Sequence, residues 1–71
     1  MERWKYWWNA QSDPARRCDV LLYCDAGAWW IEVRHGGADG RSYWREYDDL
    51  DQAIDRVREL MAGPYEWREI G

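Results

Sequence analysis

The sequence predicts a small α+β domain, in which an antiparallel sheet of about four strands is followed by one C-terminal helix packed on one face. Two observations predict this β-β-β-β-α order. Before residue 48 the chain contains several segments with strand character, of which residues 28–35 alternate with the period of two that is typical of a half-buried strand. After residue 48, apolar residues recur with helical spacing. With 71 residues and no internal repeat or linker, the chain is expected to form a single domain over residues 1–71.

Four segments have the character of strands. They are WKYWW (4–8), CDVLLYC (18–24), AWWIEVRH (28–35) and RSYWREY (41–47). The third alternates most clearly, because one side carries Trp29, Ile31 and Val33 and the other carries Trp30, Glu32 and Arg34. The glycines of GGADG (36–40) suit a hairpin loop that needs positive φ angles.

The connection between the second and third strands leaves two registers open. A three-residue loop at 25–27 uses the conformational freedom of Gly27 and places Leu21 opposite Ile31; the sequence favours this register. A four-residue loop at 25–28 instead places Leu22 opposite Ile31 and Cys18 across from His35. Because a slip of one residue moves every side chain to the other face, the pattern alone does not decide which face is buried.

Residues 50–62 are predicted to form an amphipathic helix. Its apolar stripe consists of Leu50, Ala53, Ile54, Val57, Leu60 and Met61. Asp49 is a suitable N-cap, Gln52 completes a capping box, and Gly63-Pro64 is a stop signal. The segment YEWREI (65–70) is compatible with a short edge strand or with a tail held by its tryptophan.

Aromatic residues are the unusual feature of the composition, with seven tryptophans, five tyrosines and no phenylalanine. Each indole buries about 150–250 Å², so several of them can enlarge a small core. One helix covers only one face of a sheet, however, and the remaining rings are available to a partner. We therefore expect a non-catalytic interaction module, homodimeric, whose aromatic sheet face docks another protein. The candidate binding residues are Trp7, Trp30, Trp44, Arg34 and Arg45.

The alternative is a sheet-based nucleic-acid-binding domain, in which rings stack on bases and Lys5, Arg34, Arg41 and Arg45 contact phosphates. One segment, which covers half of the chain, begins with a Gly-x-Trp motif, continues with a glycine-rich hairpin that contains Asp-Gly-Arg, and has an aromatic residue before a helix with an early alanine. This segment is GAWWIEVRHGGADGRSYWREYDDLDQAIDRVRELM. It resembles the strand–strand–helix DNA-binding domains at the N-termini of tyrosine integrases. Those domains are basic. Here residues 1–47 carry seven basic and seven acidic groups, and residues 48–71 carry three basic and seven acidic groups. The net charge of −4 disfavours nucleic acid.

No catalytic, metal or cofactor site is predicted. His35 is the single histidine, and the sequence has no CxxC or HxxH spacing. The GGADG loop leads into a strand, whereas phosphate-binding loops lead into a helix. Cys18 and Cys24 lie on one predicted strand about 20 Å apart, too far for a disulfide.

Because no apolar run is long enough to span a bilayer and the N-terminus lacks the features of a signal peptide, we expect a cytoplasmic protein that does not enter the membrane.

Overall fold

Five antiparallel strands, one α-helix and a short 3-10 helix at Gly37–Asp39, within the connection between the third and fourth strands, make up the computed structural model, which describes residues 1–70. The elements in chain order are β1 (Glu2–Trp8), β2 (Cys18–Asp25), β3 (Ala28–His35), β4 (Arg41–Tyr47), α1 (Leu50–Leu60) and β5 (Arg68–Glu69). In the sheet the strands lie in the order β4-β3-β2-β1-β5. The predicted α+β class, with one helix on an antiparallel sheet, is confirmed.

The predicted order of elements is incomplete, because the helix is not the last element. The two residues of β5 pair with Trp7 and Trp8 of β1, and the backbone N–H of Ile70 donates to the carbonyl of Tyr6 at 2.7 Å. The sheet therefore has five strands instead of about four. Trp67, just before β5, packs against the core. The C-terminal segment is thus an edge strand that is also held by its tryptophan.

A two-residue turn, Ala26-Gly27, connects β2 and β3. Both residues have left-handed φ angles, 51° and 84°, as a tight hairpin turn requires. Asp25 pairs with Ala28 and Leu22 pairs with Ile31. The three-residue loop favoured from the sequence is therefore wrong, and the pairing is that of the alternative register with a shorter loop. The physical reason is that an alanine occupies one of the two left-handed positions, where glycine would be the expected residue.

The helix α1 lies close to its predicted position. It begins after Asp49, whose side chain accepts a hydrogen bond from the Gln52 backbone N–H at 2.8 Å, and it ends at Leu60 instead of residue 62. It packs on the sheet over a buried core formed by Val20, Leu22, Ile31, Ala53 and Val57. Within residues 1–70, no helix has the length and apolar character needed to cross a bilayer.

Strand pairing sorts the side chains of the sheet onto two faces, which we call the helix face and the open face. The core residues Val20 and Ile31 belong to the helix face, as does Trp7, which pairs with Val20 and packs against the core. A row on the open face consists of Tyr6, Leu21, Glu32 and Trp44, which are partners in register across four strands.

A β-bulge in β1 changes the face to which one tryptophan belongs. The pairing of β1 with β2 shifts between Arg3 and Lys5. Trp4 at the bulge meets the ring of Trp29, a helix-face residue, edge-on with a centroid distance of 4.7 Å. A bulge inserts one extra residue into a strand and re-aims its side chains. Trp4 therefore does not share a face with Tyr6, as strict alternation would require.

Gly40 and Gly27 provide a stability test of the two connections. A Cβ on Gly40 would lie 1.6 Å from the carbonyl oxygen of His35, whereas a Cβ on Gly27 would meet no atom within 4 Å. We expect Gly40→Ala to lower the free energy of unfolding by about 3 kcal/mol or more, because the backbone must move. Gly27→Ala should lower it by about 1–2 kcal/mol, the cost of a left-handed alanine. Urea denaturation measures both, and an equal or reversed ranking would contradict the close approach of Gly40 to His35 in the β3–β4 connection.

Candidate interaction surface

The open face carries aromatic and charged side chains, and no element within residues 1–70 packs over it as α1 packs over the helix face. It is formed by Arg3, Tyr6 and Trp8 of β1, Asp19, Leu21 and Tyr23 of β2, Trp30, Glu32 and Arg34 of β3, and Ser42, Trp44 and Glu46 of β4. An uncovered sheet face of this kind would normally be polar and fully solvated. Here it contains two buried carboxylates.

Glu32 is the first of these carboxylates and is only 3% exposed. Arg34 donates to it through two nitrogens, Nε to Oε2 and Nη2 to Oε1, both at 3.0 Å. The Tyr23 hydroxyl donates to Oε1 at 2.9 Å, and the Ser42 hydroxyl donates to Oε2 at 2.8 Å. Burial by itself raises the pKa of the Glu32 carboxyl, but the hydrogen bonds from Arg34, Ser42 and Tyr23 outweigh it and hold that pKa below its usual range. The carboxylate is therefore charged and fully bonded at neutral pH.

Asp19 repeats the same arrangement one strand away and is 1% exposed. Arg17 donates from Nε to Oδ1 at 2.8 Å and from Nη2 to Oδ2 at 3.0 Å, and the Tyr6 hydroxyl donates to Oδ2. Burial again acts to raise the pKa of the carboxyl, and the bonds from Arg17 and Tyr6 lower it overall. In both cases an arginine two residues away along the chain binds the carboxylate through two bonds.

The two carboxylates belong to one continuous network. Asp19 and Arg34 are direct partners between β2 and β3, so the Arg34 charge also acts to lower the pKa of Asp19. Arg17, Asp19, Arg34 and Glu32 thus form a row of alternating charge across the open face. Leu21, between these groups, is 1% exposed although α1 lies on the other side of the sheet. The long side chains of the open face therefore form a layer of their own over this strand.

The position of Arg17 is set by the loop between β1 and β2. Asn9 is buried, and its side chain donates to the Arg16 carbonyl at 2.8 Å and accepts from the Cys18 backbone N–H at 3.1 Å. These two bonds hold the loop on both sides of Arg17. Its guanidinium then lies over the ring of Trp8, 4.7 Å from the centroid. A buried loop asparagine is therefore part of the support of the open face.

The aromatic rings of the open face are ordered by their neighbours. Tyr23 and Trp44 stack with a centroid distance of 5.1 Å and an interplanar angle of 29°. Arg3 lies over Tyr6 at 5.3 Å. The indole of Trp44, in the edge strand β4, is still 48% exposed. The network thus ends in an ordered but accessible ring at the edge of the sheet.

The structure places the five residues predicted from the sequence on two different faces. Trp30, Arg34 and Trp44 lie on the open face. Trp7 packs against the core on the helix face. Arg45 pairs with the core residue Ile31, lies on the helix face, and extends over Tyr47 at 5.5 Å. Trp7 and Arg45 therefore do not share a surface with the other three.

Nine of the twelve open-face residues were not among those predicted, including Tyr6, Trp8 and Tyr23, and neither was the loop residue Arg17 that bonds Asp19. One signal for them is present in the sequence. Arg17 and Asp19, like Glu32 and Arg34, are opposite charges two residues apart, a spacing that places both on the same side of a strand. Such pairs in strands indicate an ion-paired face.

The register also places Cys18 directly opposite His35, as the alternative loop required. Burial, and secondarily the Asp19 charge, raise the pKa of the Cys18 thiol, which disfavours the thiolate that a nucleophile needs. The His35 ring meets Tyr43 edge-on at 5.9 Å. Both cysteines are free. Within residues 1–70, no three His, Cys, Asp or Glu side chains are grouped so that they could hold a metal ion.

Comparisons with protein-family models, with curated proteins and with solved structures found no match. The resemblance to the integrase domains is therefore supported by the quoted sequence features alone.

Two glutamates of the open face test the cost of disturbing the network. We expect Glu32→Gln to lower the free energy of unfolding by about 3 kcal/mol, because it leaves the Arg34 guanidinium without its counter-charge. Glu46→Gln, at an exposed position on the same face, should change it by no more than about 0.5 kcal/mol. Urea denaturation at neutral pH measures both variants. Similar values for the two would show that the Glu32 network does not stabilise the fold.

The Tyr23 hydroxyl gives a second test, at alkaline pH. Burial, and the bond to Glu32, raise the pKa of Tyr23 from 10.0 to about 12. Because the folded value is above the unfolded one, the stabilisation is complete below pH 10 and is lost as the pH rises towards 12. We expect the stability difference between the wild type and Tyr23→Phe to shrink over this interval, and near-ultraviolet absorbance to show that the variant lacks a late-titrating phenol. An unchanged absorbance titration would contradict this assignment.

Proposed function

We propose that this protein is a non-catalytic interaction module that acts as a homodimer and offers its open face to a protein partner. The observation that carries the proposal is the Asp19–Glu32 network. It fixes guanidinium and phenol groups on a sheet face that no described element covers.

The residue types of the open face support a protein partner. Trp, Tyr and Arg are the side chains that contribute most to protein interfaces. Here several are already held by hydrogen bonds or stacking, as Arg34 is by Glu32 and Trp44 is by Tyr23. Because these groups are ordered before binding, less side-chain entropy is lost when a partner docks.

The distribution of charge disfavours the nucleic-acid alternative. Arg34 lies on the open face, but its charge is paired with Glu32 through Nε and Nη2. Lys5 and Arg45 lie on the helix face, and Lys5 forms an ion pair with Glu69 at 3.2 Å. Three of the four cations proposed to contact phosphates, Lys5, Arg41 and Arg45, therefore lie on the face opposite to the open-face rings.

Trp30→Ala tests the partner half of the proposal. Affinity capture with the tagged wild type identifies a candidate partner, whose binding is then measured with both proteins purified. We expect Trp30→Ala to weaken binding about 30-fold, the effect of losing one interface anchor. Tyr65→Ala, which removes an exposed ring that is not part of the open face, should bind as the wild type does.

Two controls make this test decisive. Thermal denaturation must show that Trp30→Ala is folded; if it is not, Arg3→Ala at an exposed open-face position replaces it. Equal binding by the open-face variant and Tyr65→Ala would contradict the proposed surface. Quenching of indole fluorescence by an oligonucleotide, strongly weakened by salt, would favour the nucleic-acid alternative.

A further inference from the structure

The two edges of the sheet are protected to different degrees. The edge formed by β1 and β5 has a bulge between Arg3 and Lys5, a closing strand of only two residues, and the Lys5–Glu69 ion pair. Bulges, short edge strands and lysines are the features by which proteins prevent strands of other chains from adding to a sheet. This edge is therefore poorly suited to pairing.

The other edge is β4, and it lacks these features. It is seven residues long, contains neither lysine nor proline, and pairs with β3 without a register shift. Six of its seven residues are exposed, and no residue within 1–70 pairs with its outer side. Its outer backbone groups are consequently free to hydrogen-bond to another strand.

The side chains of β4 select one way for two copies to pair. In an antiparallel pair related by a twofold axis, the residue on the axis faces its own copy. An axis at Arg45 or at Glu46 would bring identical charges together, and an axis at Tyr43 would place Arg41 opposite Arg45. An axis that passes between two residues would place the open face of one copy beside the helix face of the other.

An axis at Trp44 avoids all of these conflicts. It places Tyr43 opposite Arg45, Ser42 opposite Glu46, and Arg41 opposite Tyr47. Two of these pairs bring a guanidinium to a phenol ring, which is an attractive cross-strand pair, and the Ser42–Glu46 pair brings no like charges together. All seven residues of β4 are then paired.

We propose that two copies of this chain join through β4 in this register, with Trp44 on the twofold axis. The proposal rests on the proposed homodimer and specifies its interface. It joins the two sheets into one of ten strands and makes the two open faces continuous. The Trp44 rings of the two copies then face each other, each stacked on its own Tyr23, so the aromatic surface offered to a partner spans both copies.

Matched charge variants at Tyr43 test the register. Tyr43 is 57% exposed, so neither substitution disturbs the core. Tyr43→Glu places a carboxylate opposite the second copy's Arg45, which is attractive. Tyr43→Arg places a second guanidinium opposite that Arg45, which is repulsive. Each dimer contains two such pairs. We expect the dimer dissociation constant of Tyr43→Arg to be at least about tenfold above that of Tyr43→Glu. Light scattering on a size-exclusion column, over a concentration series, measures both.

Cysteine cross-linking tests the same register independently. In a background with Cys18→Ala and Cys24→Ala, the double variant Ser42→Cys with Glu46→Cys places each new thiol opposite its complement on the second copy. Opposite residues in a sheet are close enough for a disulfide. In each single variant, the thiol of one copy lies about 14 Å along the strand from the same thiol of the second copy, too far for a disulfide. We expect the double variant alone to form covalent dimers on mild oxidation, with thermal denaturation confirming that all variants fold.

The outcomes separate the interface from the proposed function. Cross-linking of the double variant, together with the expected Tyr43 ranking, supports the β4 interface. A wild-type dimer without cross-linking and with equal Tyr43 variants overturns this interface and leaves the proposed homodimer to use another surface. A monomer at every concentration overturns the interface and the homodimer together, while the Trp30→Ala assay still decides whether the open face binds a partner.

Discussion

A charged carboxylate is buried in the middle of the sheet, and much of the structure depends on how Glu32 is held. An unpaired charge in this position would be strongly destabilising. Its bonds come from Tyr23 on β2, Arg34 on β3 and Ser42 on β4, so one side chain connects three adjacent strands. A slip of one residue in either pairing would turn Glu32 or its donors towards the apolar side of the sheet. The network therefore selects the register as well as contributing stability, and it fixes the groups that the open face presents.

The tryptophans serve two purposes that the sheet keeps apart. On the helix face, Trp7, Trp29 and Trp67 pack around a core whose fully buried members are mostly small aliphatic residues. Large rings are an efficient way for a chain of 71 residues to remove apolar surface from water. On the open face, Trp8 and Trp44 instead stack with Arg17 and Tyr23 around polar groups. This division explains how an acidic and strongly hydrophilic chain can contain so many indoles.

The sequence was sufficient to predict the features that depend on periodicity. Alternation in residues 28–35 separated the two faces of β3, and helical spacing with the Asp49 cap located α1. Features that depend on single residues were not predictable. An alanine in a left-handed turn position concealed the register of β2 and β3, and two residues are too few for β5 to show a pattern. Alternation left the face of Trp7 open, and it does not reveal the bulge at Trp4. Arg45 directly follows Trp44, so its inclusion in one site with Trp44 went against the alternation itself.

The pairing of β5 with β1 has a consequence for the assembly of this chain. β5 consists of two residues, and segments with few backbone hydrogen bonds are the ones that open most readily in native proteins. While β5 is in place, it covers the end of β1, and the bulge between Arg3 and Lys5 interrupts the rest of that edge. The edge better suited to pairing is therefore β4, and two copies joined through it close upon themselves. Detachment of β5 would free the backbone groups at Tyr6, Trp7 and Trp8 and so lengthen the unpaired part of β1. Pairing of β4 in one copy with β1 in the next would then be heterologous, and such contacts extend into filaments because no symmetry closes them. In the proposed dimer, the two residues of the C-terminal strand would thus help to limit association through sheet edges to closed pairs.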